Sequence, residues 1–600
     1  MKPSKLKDTR EYISRFHELE SEKAPWLIHY QALAEIFLTR KMDFTRVIIP
    51  GQFLQADVFD NTGQYSAYLF ASLFTSLMWP NSARTFRLRA VKRLRKLAGT
   101  EEYFRWATET MQGYMDKDRA GLSMAIHEHF LDSGIFGTAG IHTEDNSAND
   151  EELPLVYDAW GVKNMCIAET AQGYVDEVYF VRPLKVRQLV KEYSKPGDYI
   201  PAVVMEKYKA GGTAMEEPVD VLVVIESAEP ERNKNGERLR GIHGMAVRVV
   251  HIALNEGARL RVDGEEEMPV AVGRMFKQLN ESLGRSCGML ALPDAQSLNC
   301  LTEGVLVATE KSLDPPLGVL DDGRLGGGVI DTSAGALSVF NSSGRQTNEK
   351  PVFQLQTIGE FQQALEQQKQ FAAKIAQAFF LDRLLDLNNQ TQMTAYETSV
   401  RDKIRGESVG GLFSRQEKEV FTPTIERSFN ILFRRGYLGI VNDGPGAKLR
   451  KKWDAIAGAE RVEVPPAVLQ AWRAGLNVFE VEYISPAKRF QQAEEMRGLL
   501  TALDTAIAVA PVMPDSLDVV DTDDIIRKVF ERSGAPIEVI RTMDALTKFR
   551  AAKKQARDQA MQLQQAEQTA NIGLKSAQAR SALGTTPATP PAVAMGAGGR

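Results

Sequence analysis

"EKSLDPPLGVLDDGRLGGGVIDTSAGALSVF", Glu310 to Phe340, lies between two stretches with helical patterning. Upstream, "DAQSLNCLTEGVLVATEKSL" puts Leu298, Leu301, Val305 and Ala308 on one stripe, with Pro293-Asp294 as a start signal. Downstream, "TIGEFQQALEQQKQFAAKIAQAFFLDRLL" opens with a capping box, Thr357 and Glu360, and carries an apolar face of Phe361, Leu365, Ala372, Ile375 and Phe379. At 1.5 Å per residue each helix is roughly 30 to 40 Å long. The narrow stripes, with small Ala between larger residues, suit helices packed side by side. A glycine-rich insert of this length is unusual inside a compact domain. Its short strands, "GALSVF" and "KPVFQLQ", leave edges unpaired in one chain.

Composition sets the bounds. The chain has 600 residues, of which 43% are hydrophobic and 25% charged, with a formal net charge of -5. That is ample for several cores, and length alone suggests about four domains. Nucleic acid, if met, is not held by bulk charge. The three cysteines, Cys166, Cys287 and Cys300, form no CxxC pair, so a reducing compartment is expected rather than a disulfide framework. The N-terminus "MKPSKLKDTREYISRF" has no apolar signal core. The apolar run Tyr68–Trp79 is too short to span a bilayer and reads as a buried helix.

Residues 5–130 read as mostly helical. From about 134 to 270 the pattern turns β-rich, with "EVYFVRPL", "VDVLVVIES" and "GMAVRVVHIAL" as strands. After the second long helix, "LDLNNQTQMTAYE" reads as a polar loop followed by a helix capped by Thr394 and Glu397. Helices are expected at about 395–408 and 424–436, the second capped by Thr422-Pro423 and ended by Gly436, then a strand "VFEVEYI". Residues 486–582 read as nearly all helix, and 583–600 cannot bury a core and read as disordered. The class is α+β, mainly helical.

Catalytic chemistry is missing from the pattern. There is no GxxxxGK[ST] loop. His127 and His129 of "HEHF" sit two apart, which on a helix does not bring them together, and the motif reads as an ordinary helix end. Asp521, Asp523 and Asp524 precede "IIRKVFERSG", where carboxylates cap a helix start. Gly326–Gly328 lack the flanking strand and helix of a phosphate cradle. The basic run Arg84, Arg87, Arg89, Lys92, Arg93, Arg95 and Lys96 reads as a solvated helix face, with phosphate contact as the alternative. No catalytic residue, metal set or cofactor is assigned.

Several segments together resemble the portal, or head-to-tail connector, proteins of short-tailed (podovirus-type) tailed bacteriophages. They are "FDNTGQYSAYLFASLFTSLMWPNSARTFRLR" (Phe59–Arg89), "GIFGTAG" (Gly134–Gly140), "GRSCGMLALPDAQSLN" (Gly284–Asn299), "EKSLDPPLGVLDDG" (Glu310–Gly323), "MTAYE" (Met393–Glu397) and "EYISPAKRFQQAEE" (Glu482–Glu495). Each is weak alone; in this order, over roughly residues 50 to 545, they are specific.

The resemblance implies a ring, usually of twelve subunits, at one capsid vertex, through which double-stranded DNA is packaged and ejected. The implied parts are a wing (1–292, β-rich from about 134), stem helix 1 (293–313), clip (314–356), stem helix 2 (357–385), tunnel loop (386–393), the C-terminal part of the wing (394–485), a helical crown or barrel (486–582) and the disordered tail (583–600). Leu298, Leu301, Val305, Phe361, Leu365, Ile375 and Phe379 then pack the stem helices, and Asn388, Asn389, Gln390, Thr391 and Gln392 face the channel. That loop has no basic residue, so it can touch DNA without neutralising phosphates. Implied partners are other copies of the chain, the DNA, a terminase motor, a tail adaptor, and the major capsid and scaffolding proteins, with no membrane. The implied location is the virion, after the host cytoplasm. Twelve helices about 10 Å wide, side by side, enclose a bore of about 28 Å, enough for a duplex of roughly 20 Å, whereas six leave about 9 Å. The competing readings are a DNA-processing enzyme (nuclease or packaging motor) and a scaffolding or internal virion protein.

Overall fold

The computed structural model describes residues 6–49, 51–52, 54, 57–80, 84–97, 99–230, 242–321, 330–341, 352–355, 361–382, 410–439, 462–484, 501, 546, 549–562 and 575. The chain divides into two units, Met1–Glu494 and Glu495–Arg600. In the second unit every described residue is helical, and 549–562 form a helix whose residues are all exposed.

The first unit opens with α1 (Thr9–Phe37), α2 (Thr62–Met78), β1 (Phe86–Ala90), α3 (Thr100–Met115) and α4 (Leu122–Phe136). Then come β2 (Thr138–Asp145), β3 (Leu155–Gly161), β4 (Met165–Glu169), β5 (Val175–Lys185), α5 (Val186–Glu192), α6 (Ala202–Ala210), β6 (Pro218–Ser227), β7 (Val247–Ala253), β8 (Ala258–Glu265) and β9 (Val270–Arg274). Next are α7 (Cys287–Leu313), β10 (Leu317–Asp321), β11 (Leu337–Asn341), β12 (Val352–Gln354) and α8 (Phe361–Ala378). A helical run over 410–435 has a π-wound middle, Glu417–Phe421, and ends as α9 (Thr422–Arg435). It is followed by α10 (Pro466–Arg473) and β13 (Phe479–Tyr483).

The β-rich part is two antiparallel sheets, β4-β5-β6-β7-β8 and β3-β2-β9. In β6, Val221, Val223 and Ile225 alternate with Leu222 and Val224, and the two sets enter different cores. Burial on both faces explains the unbroken apolar run "VLVVI". One core is closed by Tyr12, Phe16 and Leu19 from the first half of α1. The second half of the same helix, with Tyr30, Leu33 and Phe37, joins the larger core shared with α2, α3, α4 and the 410–435 run. The apolar run Tyr68–Trp79 is the buried second half of α2 and its cap, as its length implies. Among the described residues no helix is long and apolar enough to cross a membrane.

Four expectations are corrected. The first long helix starts at Cys287, not at Pro293, because Ser286 Oγ accepts the Met289 N–H at 2.9 Å and caps it earlier; Pro293 lies inside. The second does not run unbroken to 385: α8 ends at Ala378, and Phe380 takes φ 56°. Thr422 is not a helix cap. The backbone is already helical at Phe421, and an α turn would need the N–H that Pro423 lacks; the π turn absorbs that misfit. The basic run is not a helix face. Arg87 and Arg89 stand on β1 opposite Glu482 and Glu480 of β13, because Phe86, Leu88 and Ala90 alternate inward. The Thr357–Glu360 box, the Thr394–Glu397 box, the helix at 395–408, Gly326–Gly328, Asp521–Asp524 and the tail fall outside the described residues.

Candidate functional site: a helix pair and the sheet it carries

The pair is α7 and α8, antiparallel and about 40 and 27 Å long at 1.5 Å per residue. Gln368 Nε2 donates to Thr302 Oγ1 at 3.1 Å, and Lys374 lies 3.9 Å from Asp294. The root of α7 is tightly held. Ser286 Oγ, besides capping the helix, donates to Ile135 O at 2.6 Å. Gly288 lets α7 close on the end of α4, where a Cβ would come within 2.8 Å of Ile135 O. Asn299 Oδ1 accepts from the N–H groups of Phe59 (2.7 Å) and Asp60 (3.2 Å), while Nδ2 donates to Asp57 O (3.0 Å). Burial pushes the Cys287 thiol up to about 12, which leaves it a packing residue.

Beyond Asn299 the pair changes character. Leu298, Ile375 and Phe379 are in the core, and Phe379 meets the rings of Phe37 and Phe70 at 5.5 and 5.9 Å. Leu301 and Val305 are half-buried. Leu306 (52% exposed), Val307, Leu313 (83%) and Leu365 (48%) present apolar side chains to solvent. The backbone of Phe361 opens α8.

At the far end of α7 the insert folds into a three-stranded sheet, β11-β10-β12. The expected "GALSVF" and "KPVFQLQ" strands are β11 and β12. The central strand β10, "LGVLD", was not anticipated; it pairs parallel with β11 and antiparallel with β12. Phe340 and Phe353 meet at 5.7 Å over Gly318, where a Cβ would sit 2.6 Å from the Phe353 ring. The outer edges of β11 and β12 have no strand neighbour among the described residues. Asn388, Asn389, Gln390, Thr391 and Gln392 lie outside the described residues.

A second polar centre escaped sequence reasoning. Arg274, almost wholly buried, reaches Glu169 at 2.7 Å, Glu419 at 3.2 Å and Gly173 O at 2.9 Å. Against the opposing effect of burial, hydrogen bonds from Lys277 and Arg274 hold the Glu169 carboxyl below its usual range. His129 is not at a helix end; it is buried mid-α4 with Nε2 3.1 Å from Gln416 Oε1, and Gln416 Nε2 donates to Arg274 O. These residues are dispersed along the chain, so no local spacing announces them. Of the basic run, Arg84 pairs with Glu109 and Arg89 with Glu482, while Lys92, Arg93 and Lys96 project from the exposed turn after β1. No group of three or more metal-ligating side chains exists among the described residues.

Comparison with known proteins adds the context. The family model described as "Bacteriophage head to tail connecting protein" matches residues 9–444. The chain is 23% identical over 568 residues to the "Probable portal protein" of Bordetella phage BPP-1, covering 93% of this chain and 94% of that one. It is 22% identical over 492 residues to the "Portal protein" of Salmonella phage epsilon15, covering 80% and 79%. A chain from the neck of an empty gene transfer agent particle aligns with 70% of this chain and 91% of its own, at 12% identity and a TM-score of 0.28. That score carries no argument.

Proposed function

From the premise that this chain belongs to the bacteriophage head to tail connecting protein family, we propose that it forms a ring whose axis is a channel for double-stranded DNA at one capsid vertex. The observation that carries the reading is the α7–α8 pair. Its root is locked into the core, while its outer half exposes Leu306, Val307, Leu313 and Leu365. Burying one such side chain contributes about 2 kcal/mol, so a row of neighbouring pairs is the state these residues favour. In this reading α7 and α8 are the stem, the insert sheet is the clip, and residues 386–393 are the tunnel loop. The remainder of the first unit up to residue 485, on both sides of the stem in sequence, is the wing, and 486–582 form the crown.

The free edges of β11 and β12 supply pairing sites between neighbouring clips. The clip faces the tail adaptor and, during packaging, the terminase motor; the wing meets capsid and scaffolding proteins. The protein conducts DNA and performs no chemical step of its own. Native mass spectrometry over a concentration series tests the assembly. A closed oligomer is expected at high concentration, twelvefold as the family resemblance implies; monomers and dimers alone at every concentration would overturn the reading.

A further inference from the structure

The sheet β3-β2-β9 ends at β9, and its last strand is nearly buried. The bonds flanking the β2–β9 pairing, Thr143 N–H to Pro269 O and Met275 N–H to Gly137 O, set its alternation: odd residues of β9 bond to β2. The backbone groups of Val270, Val272 and Arg274 therefore point to the outer edge. Arg274 is satisfied there, because its N–H goes to Glu419 and its carbonyl accepts from Gln416. Val270 and Val272 have no outer partner among the described residues, although both are at most 5% exposed. Two donors and two acceptors left unpaired on a buried strand edge need a partner.

That edge opens into a groove of about 530 Å³. One wall is the 410–435 helical run, which contributes Ser414, Arg415, Lys418 and Pro423; the other is the β4–β5 turn with the exposed Tyr174. Arg274 and Lys277 are taken up by Glu169 and Glu419. Arg415, only 3.9 Å from the shared Glu419, and Lys418, which has no charged partner among the described residues, set the sign of the rim.

We propose that this groove receives an extended, carboxylate-bearing peptide segment of another protein, which adds as a strand to β9 and pairs with Val270 and Val272. Backbone pairing supplies the affinity, and Lys418 with Arg415 selects acidic side chains. The site lies on β9 and the 410–435 run, uses no residue of α7 or α8, and does not depend on ring formation.

The test uses the full-length protein and two synthetic probes, an alternating Val-Glu octapeptide and its Val-Lys counterpart. Hydrogen exchange is followed at Val270 and Val272, and binding by fluorescence anisotropy. The Val-Glu peptide should bind and slow exchange at both amides, and Val-Lys should not. Lys418→Glu should weaken Val-Glu binding about tenfold and raise Val-Lys binding. Val272→Pro, which removes an outward N–H and leaves the bonds to β2 intact, should abolish Val-Glu binding. Val-Glu binding that ignores both substitutions, or no binding at all, overturns the proposal. So does exchange protection of β9 in peptide-free protein that is lost on dilution, because a second copy then fills the groove.

Discussion

At the residue scale, two buried positions lead to measurable behaviour. Gly137 ends α4 at φ 90°, and a Cβ there would lie 2.0 Å from Gly284 O. Gly137→Ala therefore adds both backbone strain and a backbone clash, and should destabilise the first unit by at least about 2 kcal/mol in chemical denaturation. His129 is fully buried, and desolvation pushes its pKa down to about 4, which the bond to Gln416 opposes. In the unfolded chain a histidine binds its proton below about pH 6.5. Between that value and about 4 the unfolded state holds the extra proton, so stability falls as pH falls through this window. His129→Gln should flatten the slope of stability against pH by about 1.4 kcal/mol per unit there. An unchanged slope would mean that His129 titrates normally in the fold.

At the element scale, the helix pair and its insert separate folding from assembly. Leu306→Glu with Leu313→Glu alters side chains exposed in the single chain, so thermal unfolding of the subunit should stay within about 0.5 kcal/mol of the parent. Sedimentation should show the assembled species lost. Replacing Leu317–Gln354 by a short flexible linker removes the whole insert sheet; α7 and α8 should keep their packing while tail attachment or motor docking fails. Infectious particles from that variant would contradict the clip assignment.

The elements also show where sequence patterning is informative. The strands of "EVYFVRPL", "VDVLVVIES" and "VFEVEYI" were legible because β-branched and aromatic residues are concentrated in them, and α7 and α8 because their stripes repeat at three and four. β10 was not legible, since "LGVLD" has five residues, one a glycine, and becomes a strand only by pairing on both sides. β1 was obscured by its arginines, whose neutralising partners lie about 390 residues away on β13. The start of α7 was misplaced because proline is a common first-turn residue, and only Ser286 against Ile135 reveals the earlier cap. Arg274 and Asn299 were invisible for the same reason as the partners of β1: their roles exist only across long separations.

At the scale of the whole molecule, the proposed ring needs a passage that touches DNA without holding it. Residues 386–393 contain no lysine or arginine. Lysine at both Asn389 and Gln390 would add phosphate contacts around a ring, and each contact raises affinity and salt sensitivity. Assembly should be normal, packaging slowed or stalled, and raised salt should partly restore it because screening weakens the new contacts. Packaging at the parent rate at every ionic strength would place the loop away from DNA. The passage itself is tested most directly by negative-stain imaging of the purified full-length protein viewed end-on. A closed ring, twelvefold, with a central opening wide enough for a duplex of roughly 20 Å is the expected result. Particles that are monomeric or filamentous, or rings whose opening is too narrow for duplex DNA, would contradict it.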